Sequence, residues 1–415
     1  MTLLGSRARA AAAVFAVALA FRLGHLARTG SPAELKADAG EYHAYAVSLA
    51  ERGRFEGPDG SRGGRMPGYP AFLAGVYSLG GGLRAALLAQ CLLGAAGAAL
   101  VALAAWTLLP PAWAFGAGLA AASYLGLIDP CVLLLSECLY SFLLASALFF
   151  LYKDGPPPRR AALFGAALGL TYLVRPELLP YALLAAAALP RCLPGFGRRE
   201  SVLAAAAFSF FVAGWTARNY AVLGAPLPAT STSGSVRYMT MYLSKLSRGE
   251  DPGPKHEPPP GLPELEREKS YARAADALGG AVPLPGRLKV YAYNILSIYY
   301  PFLPAYDVTY MLLAPFWLFG LFAALARPEL WPLAAPIPCS IAVFAFLGGP
   351  ASRYRQGIAP CLVLLAVWGL HRLRERFPRP WLPAVAAWTA LNLAVWLFAP
   401  QVRAGALAVK ALLWR

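Results

Sequence analysis

The stretch 8-ARAAAAVFAVALAFRLGHLA-27 is an apolar run, and the polar stretch 36-KADAGEYHAY-45 follows it closely. A helix that crosses a bilayer needs about 20 apolar residues, which this run supplies. Runs of similar character recur at about eleven places, near residues 8–27, 84–108, 112–127, 131–152, 161–174, 177–190, 201–217, 306–326, 329–347, 357–371 and 381–399. The sequence therefore predicts an all-α integral membrane protein with about eleven transmembrane helices. The short runs 161–174 and 177–190 are either two spans that meet outside or one broken span.

Composition supports the same fold class. The chain has 415 residues, of which 58% are hydrophobic and only 14% are charged, whereas soluble domains carry about 25% charged residues. The formal net charge of +16 would suggest nucleic acid in a soluble protein. Here the arginines cluster on loops between apolar runs, where they act as orientation signals and contact anionic lipids. Membrane lipids are thus predicted partners, and nucleic acid is not.

Cysteines and histidines give no sign of a metal site. The six cysteines lie in or beside apolar runs and form no CxxC pair, and the four histidines are scattered without zinc spacing. The cysteines therefore behave as small buried hydrophobes rather than as a disulfide framework. Neither a P-loop nor a dinucleotide fingerprint is present, which disfavours a nucleotide-linked substrate.

Basic residues on short loops predict the orientation. With Arg7 and Arg9 in the cytoplasm, the loops that fall inside carry most of the clustered arginines, as the positive-inside rule requires. The first run also has features of a signal peptide, but no convincing cleavage site follows it, so a retained span is predicted. The whole chain, 1–415, is then one polytopic domain. Its two long external segments are 28–83, with interfacial helices, and 218–305, with a short polar helix near 263–278.

Asp38 and Glu41 stand just outside the first predicted span. Their spacing of three brings both carboxylates to one face of a helix that starts there. Tyr42, Tyr45, Ala46 and Leu49 form a second stripe, typical of an amphipathic interfacial helix. Two interpretations stay open. Asp38 and Glu41 form a helix-capping box, or they are carboxylates placed for chemistry at the membrane surface.

Further polar motifs lie at the predicted outer ends of spans: Arg65-Met66-Pro67-Gly68-Tyr69-Pro70, Ser136-Glu137, Arg175-Pro176-Glu177, Arg218-Asn219 and Ser352-Arg353-Tyr354-Arg355-Gln356 with Pro360. Each also has a purely structural interpretation. The Pro-Gly run starts a helix on the membrane, and Glu137 pairs with Arg175 between helices. Arg218, Arg353 and Arg355 are then anchors at lipid headgroups.

These motifs, in this order, resemble the GT-C glycosyltransferases. The likeness is strongest to the bacterial branch related to protein O-mannosyltransferases and lipid A aminoarabinose transferases. It covers about residues 8–370. The motifs that carry it lie at 38–45, 65–74, 136–144, 175–177 and 352–360. The resemblance implies a multi-pass enzyme of the bacterial inner membrane, with its N-terminus in the cytoplasm and its active site on the outer face. It implies inverting transfer of a hexose or pentose from a polyprenyl-phosphate donor to a lipid, polysaccharide or protein of the cell envelope.

The resemblance also implies roles for individual residues. Asp38 takes the position of the catalytic base. Ala39 stands where the family often has a second acid, so Glu41 is the nearest second carboxylate, and whether it shares the catalytic role stays open. An inverting transfer requires a carboxylate to accept the hydroxyl proton and cations to stabilise the leaving phosphate. The residues predicted to bind donor or phosphate are Arg353, Arg355, Tyr354, Glu137, Arg175, Glu177, Arg218 and Arg65. The resemblance allows a divalent cation, although no ligand cluster in the sequence supports one.

Three other functions remain alternatives. A transporter or lipid flippase would require charged residues or broken helices near mid-membrane, whereas the acids here lie at span ends. An enzyme similar to O-antigen ligases would share the long external loop but would use a diphosphate-linked donor. A scaffold without enzymatic activity is the third.

Overall fold

The computed structural model describes residues 3–32, 34–247, 250–280, 284–301, 306–347 and 353–405. Within these ranges the regular structure is helical. The α-helices, in chain order, are α1 Leu3–Thr29, α2 Asp38–Arg52, α3 Gly68–Ser78, α4 Leu83–Ala105, α5 Pro111–Ser123, α6 Leu125–Ile128, α7 Glu137–Tyr152, α8 Pro157–Val174, α9 Leu179–Cys192, α10 Arg198–Leu223, α11 Ser233–Ser247, α12 Glu264–Gly280, α13 Leu284–Tyr299, α14 Val308–Ala324, α15 Trp331–Ala334, α16 Pro336–Leu347, α17 Tyr354–Gly357, α18 Ala359–Arg376 and α19 Trp381–Leu397. The predicted all-α class is confirmed.

Three helices of the described part are long and apolar enough to cross a membrane: Ser6–Thr29, Leu83–Ala105 and Arg198–Leu223. The number rises to five if two sharply bent pairs each count as one span. These pairs are Pro111–Ser123 with Leu125–Cys131, bent by 68°, and Trp381–Leu397 with Ala399–Gly405, bent by 85°. Every one of the eleven predicted runs contains a helix, but the count of eleven spans stays a prediction.

Small residues allow the helices to approach closely. A Cβ atom built on Gly165 of α8 would lie 2.1 Å from the carbonyl oxygen of Ala204 in α10, so the two backbones are nearly in contact. The same holds for Gly369 of α18, whose Cβ would lie 2.3 Å from the carbonyl oxygen of Phe316 in α14. Because lipid gives no hydrophobic drive for association, membrane helices rely on this kind of close packing.

The bend between α5 and α6 is stabilised by a buried arginine. Arg22 of α1 is fully buried, and its guanidinium donates to the carbonyl oxygens of Ala18 at 3.0 Å, Ala122 at 3.3 Å and Leu127 at 3.1 Å. Ala122 and Leu127 flank the break at Tyr124, where the helical hydrogen bonds are interrupted. Backbone groups freed at a break inside a membrane protein require such partners.

The segments predicted to lie outside carry five of these helices. The first, 28–83, contains α2 and α3, and the second, 218–305, contains α11, α12 and α13. The polar helix predicted near 263–278 corresponds to α12. In α2, Tyr42, Tyr45 and Ala46 are buried, which matches the predicted apolar stripe. The stripe faces the bundle, and Asp38 lies on the same side of α2, because it is four residues before Tyr42 and seven before Tyr45.

Candidate functional site

Helix α2 begins at Asp38 and follows an unusual backbone conformation. Ala37 has φ +48°, and among the described residues it is the one non-glycine with positive φ, a conformation that costs free energy for a side chain with a Cβ. Ala37, not Asp38, is the N-cap, and no side chain caps the helix. The capping-box interpretation of Asp38 and Glu41 is therefore wrong. Charge-assisted bonds to arginines hold both carboxylates instead.

Seven charged side chains form a connected row in which acids and arginines alternate. We call it the charge chain, and its members in spatial order are Glu41, Arg65, Asp38, Arg353, Glu137, Arg175 and Glu177. Arg65 contacts Glu41 at 2.8 Å and Asp38 at 2.7 Å. Arg353 contacts the other Asp38 oxygen at 2.7 Å and approaches Glu137 at 4.0 Å.

The second half of the charge chain is more deeply buried. Arg175 contacts Glu137 at 2.8 Å and also pairs with Glu177. The Glu137 side chain is only 3% exposed, and one of its oxygens, Oε2, has no hydrogen-bond partner among the described residues. The ion pair predicted between Glu137 and Arg175 is present, as part of the larger row.

The charge chain joins five segments that are far apart in sequence. They are the start of α2, the loop before α3, the start of α7, the break between α8 and α9, and the start of α17. These segments carry the motifs that resemble the GT-C enzymes. Ser352, the first residue of the last motif, lies outside the described residues.

Asp38 is ionised in this environment. Burial raises the pKa of Asp38, but the neighbouring Arg65 and Arg353 guanidiniums lower it by more, and the net pKa lies below the ordinary value of 3.8. Attraction and hydrogen bonding to two cations favour the charged carboxylate. A base that is already deprotonated at neutral pH is what proton abstraction requires.

Aromatic rings support the arginines. Arg65 lies over the Tyr42 ring at 5.1 Å from its centroid, and the Tyr42 hydroxyl donates to Ser136 at 3.3 Å. The guanidiniums of Arg175 and Arg353 each lie 5.7 Å from the centroid of the Tyr354 ring, and this ring stacks on Phe344 at 3.9 Å. These contacts restrict the guanidiniums to a few orientations.

A small cavity of about 20 Å³ adjoins the buried end of the charge chain. Arg175 and Glu177 line it together with the rings of Tyr140, Tyr181 and Tyr354. The hydroxyl of Ser340 is also on its wall, and it has no hydrogen-bond partner among the described residues. A polar cavity of this size has room for one water molecule.

Arg355 is not in the charge chain, although the sequence predicted that it binds phosphate together with Arg353. It is 3% exposed and donates to Asp307 at 2.7 Å and to the carbonyl oxygens of Ile298 and Tyr300 at 3.1 and 3.0 Å. Its guanidinium also lies 4.1 Å from the Tyr310 ring centroid. Neighbouring residues of a helical turn point in different directions, so Arg353 and Arg355 reach different clusters.

Asp307 is the partner that sequence analysis missed. Its Oδ1 accepts from the backbone N–H of Tyr310 at 2.9 Å, so it caps α14, while its Oδ2 accepts from Arg355. The available signal was an acid directly before an apolar run, which is the usual pattern of an N-cap.

Arg218 also lies outside the charge chain. Its guanidinium donates to the carbonyl oxygens of Arg62 at 2.6 Å and Phe55 at 3.5 Å, and it lies over the Trp215 ring at 4.9 Å. Arg218 thus joins α10 to the first external segment. It does not contact an acid of the site.

Glu264, at the start of α12, holds the same external segment from the other side. Its carboxylate accepts from the backbone N–H groups of Arg62 at 2.6 Å and Gly63 at 2.9 Å, and the Gly63 carbonyl accepts from the Ser231 N–H at 2.9 Å. A Cβ on Gly63 would lie 2.7 Å from the end of the Leu223 side chain, so a larger residue there would require that side chain to shift. Sequence analysis missed Glu264, because its partners are about 200 positions away.

The residues of the site do not fit a divalent cation. Both oxygens of Asp38 face guanidiniums, and their positive charge opposes a metal ion. In the part of the chain that the structure describes, no group of three His, Cys, Asp or Glu side chains is arranged to hold a metal. No chemical step is therefore assigned to a metal.

No protein family matches the chain, and no curated protein matches it. Among solved structures, it is similar to the Archaeoglobus fulgidus oligosaccharyltransferase in complex with Zn and sulfate. The TM-score is 0.44 and the sequence identity is 13%, over 93% of this chain and 51% of that chain. The chain thus spans about half the length of that protein.

Proposed function

We propose that the chain is a membrane glycosyltransferase of GT-C type. It moves a sugar from a polyprenyl-phosphate donor to a lipid, polysaccharide or protein hydroxyl at the outer face of the bacterial inner membrane, with inversion. One observation carries this proposal above the others. Asp38, an ionised carboxylate just beyond the first apolar helix, is held between Arg65 and Arg353, which come from distant segments.

The charge chain supplies the groups that this reaction requires. The acceptor hydroxyl oxygen forms a bond to the anomeric carbon, and the bond from that carbon to the phosphate oxygen breaks, with its electron pair leaving on the phosphate. Asp38 takes the hydroxyl proton, and an arginine stabilises the new phosphate charge. Arg353 is suited to this second role, because its side chain is 39% exposed, against 24% for Arg65 and 15% for Arg175.

Donor binding also frees the base. The charge chain has four carboxylates and three guanidiniums. Each guanidinium is therefore already paired with a carboxylate before a phosphate binds. Arg353 must therefore turn from Asp38 to the phosphate, which is favourable because guanidinium and phosphate form two parallel bonds. This movement exposes Asp38 Oδ2 to the acceptor hydroxyl, so the proton acceptor becomes available only when the donor is bound.

The remaining residues of the site hold these groups in place. Arg65 keeps Asp38 and Glu41 together, and Glu41 orients that arginine. Arg175 and Glu177 line the donor-sugar side with Tyr354, and the buried Glu137 holds Arg175 in place behind them. For Arg355 and Arg218, whose contacts are with the fold, we propose structural roles in place of phosphate binding.

The test is sugar transfer by the purified full chain in lipid, from radiolabelled polyprenyl-phosphate sugars into a lipid extract. We expect Asp38→Asn to lower turnover about a hundredfold or more, the scale of general-base loss, at near-normal abundance. Glu41→Gln should cost less if Glu41 only orients Arg65. The matched control is Asp59→Asn, which removes a carboxylate of the same external segment that pairs with Arg267 instead. Parental turnover in Asp38→Asn would refute the assignment.

A further inference from the structure

An apolar groove of about 290 Å³ lies between α14, α18 and α19, away from the charge chain. Its walls are apolar side chains, among them Phe316, Leu373, Phe377, Trp381, Ala384 and Trp388. The volume is about twice the roughly 150 Å³ that holds benzene in a protein interior, so the groove has room for a stretch of hydrocarbon chain.

The groove has fixed walls. Trp388 of α19, which lines one end, donates its indole N–H to the carbonyl oxygen of Met311 in α14 at 3.0 Å. Farther along α19, Asn392 accepts a bond from the hydroxyl of Tyr306. These two bonds hold α19 against α14, while Gly369 keeps α18 close to α14. The groove is therefore a feature of the packed helices.

Two exposed arginines stand over rings of the groove wall. The Arg374 guanidinium lies 5.7 Å from the centroid of Trp381, and that of Arg376 lies 5.8 Å from the centroid of Phe377. The nearby acid, Glu375, pairs with Arg372 and His371 instead. Among the contacts of the described residues neither guanidinium pairs with an acid, so both are available to an anion beside these rings.

We propose that this groove binds an anionic glycerophospholipid, with an acyl chain along the apolar walls and the phosphate between Arg374 and Arg376. Basic residues at the mouth of a cleft between membrane helices bind anionic lipid headgroups, and the aromatic residues beside them are typical of the interface. A free phosphate would leave the apolar groove unused, so the occupant is a lipid. The site is independent of sugar transfer, and its failure would leave the proposed function untouched.

Native mass spectrometry of the purified full chain in neutral detergent tests the site, with dioleoylphosphatidylglycerol as the probe. We expect one phosphatidylglycerol to be retained more strongly than one dioleoylphosphatidylcholine. Each arginine near a headgroup phosphate strengthens binding about fivefold. Replacing both, as Arg374→Gln with Arg376→Gln, should therefore weaken phosphatidylglycerol binding roughly thirtyfold.

Two further variants separate the charge from the groove. Arg198→Gln with Arg199→Gln removes two exposed arginines at the start of α10, on the same predicted side, and it should leave binding unchanged. Ala384→Trp fills the groove without changing charge and should also abolish retention. Unchanged binding in the Arg374/Arg376 double variant, equal binding of both lipids, or displacement by inorganic phosphate would each overturn the proposal.

Discussion

The acidity of Asp38 gives a pH dependence with a defined sign. In the free protein Arg65 and Arg353 lower the pKa of Asp38, so we expect kcat/KM to stay flat with pH down to a value below the ordinary carboxyl pKa of 3.8. Arg65→Gln removes one of the two cations and raises that pKa, so the acid limb of the pH–rate profile should move to higher pH. Arg62→Gln, in the same loop, is the control. An acid limb at the same pH in both variants would mean that Asp38 is not the titrating base.

Arg353 and Arg355 are two residues apart, and we expect substitutions at the two positions to have different effects. Arg353→Gln removes a charge-assisted bond of about 1.5–3 kcal/mol to the donor phosphate, so the donor KM should rise roughly ten- to hundredfold while the Tm stays near the parental value. Arg355→Gln leaves Asp307 buried without its cation, which costs about 3–5 kcal/mol of folding free energy. Donor kinetics and thermal unfolding of both variants distinguish these outcomes. A raised donor KM at unchanged Tm for Arg355→Gln would indicate instead that Arg355 binds the donor phosphate.

The sequence predicted the residues of the charge chain better than the contacts among them. Asp38, Glu137, Arg175 and Arg353 were recognisable because each is a charged residue at the end of an apolar run. Their connection through alternating ion pairs, and the different direction of Arg355, depend on how distant helices pack. Local spacing contains no information on that packing. For the same reason, a capping box was a reasonable interpretation of Asp38 and Glu41 until the arginines were seen beside them.

At the scale of elements, the first external segment depends on α12. Glu264 binds the backbone N–H groups of Arg62 and Gly63, just before Arg65, so α12 sets the position of the arginine that holds Asp38. The amide of Glu264→Gln has only one carbonyl oxygen for the two backbone N–H groups of Arg62 and Gly63. One of these N–H groups would then face the amide nitrogen, which cannot accept a hydrogen bond. We expect faster proteolysis within 28–83 and lower turnover, with Arg65 less well placed.

The matched control for this change lies on the same helix. Glu266→Gln alters a carboxylate of α12 that pairs only with Lys269 on the helix surface, among the contacts of the described residues. Its proteolysis rate and turnover should stay parental, because an exposed pair of this kind contributes little to stability. Equal effects of the two substitutions would show that the position of Arg65 does not depend on the carboxylate of Glu264.

Helices were the most predictable level of the structure. Apolar runs of sufficient length indicated where α4, α10 and α18 lie, and proline and polar residues indicated several of their ends. The bends were less predictable. The 68° break after α5 follows from the carbonyl acceptors that Arg22 satisfies, and that arginine lies about 100 positions earlier in the chain. A bend that depends on a distant partner leaves little signal in its own sequence.

For the molecule as a whole, the proposed chemistry requires one orientation in the membrane. The charge chain has to face the side where a polyprenyl phosphate presents its sugar, so residues 28–83 should be outside and the loop around Arg159 inside. A matched pair of exposed positions tests this, Arg52→Cys at the end of α2 and Arg159→Cys in α8. The six native cysteines are buried and should give little background. In intact spheroplasts an impermeant thiol reagent should label Arg52→Cys at once and Arg159→Cys only after permeabilisation. The reverse pattern would place Asp38 on the cytoplasmic side, where the positive-inside rule predicts that it does not lie, and the proposed function would fail with the orientation.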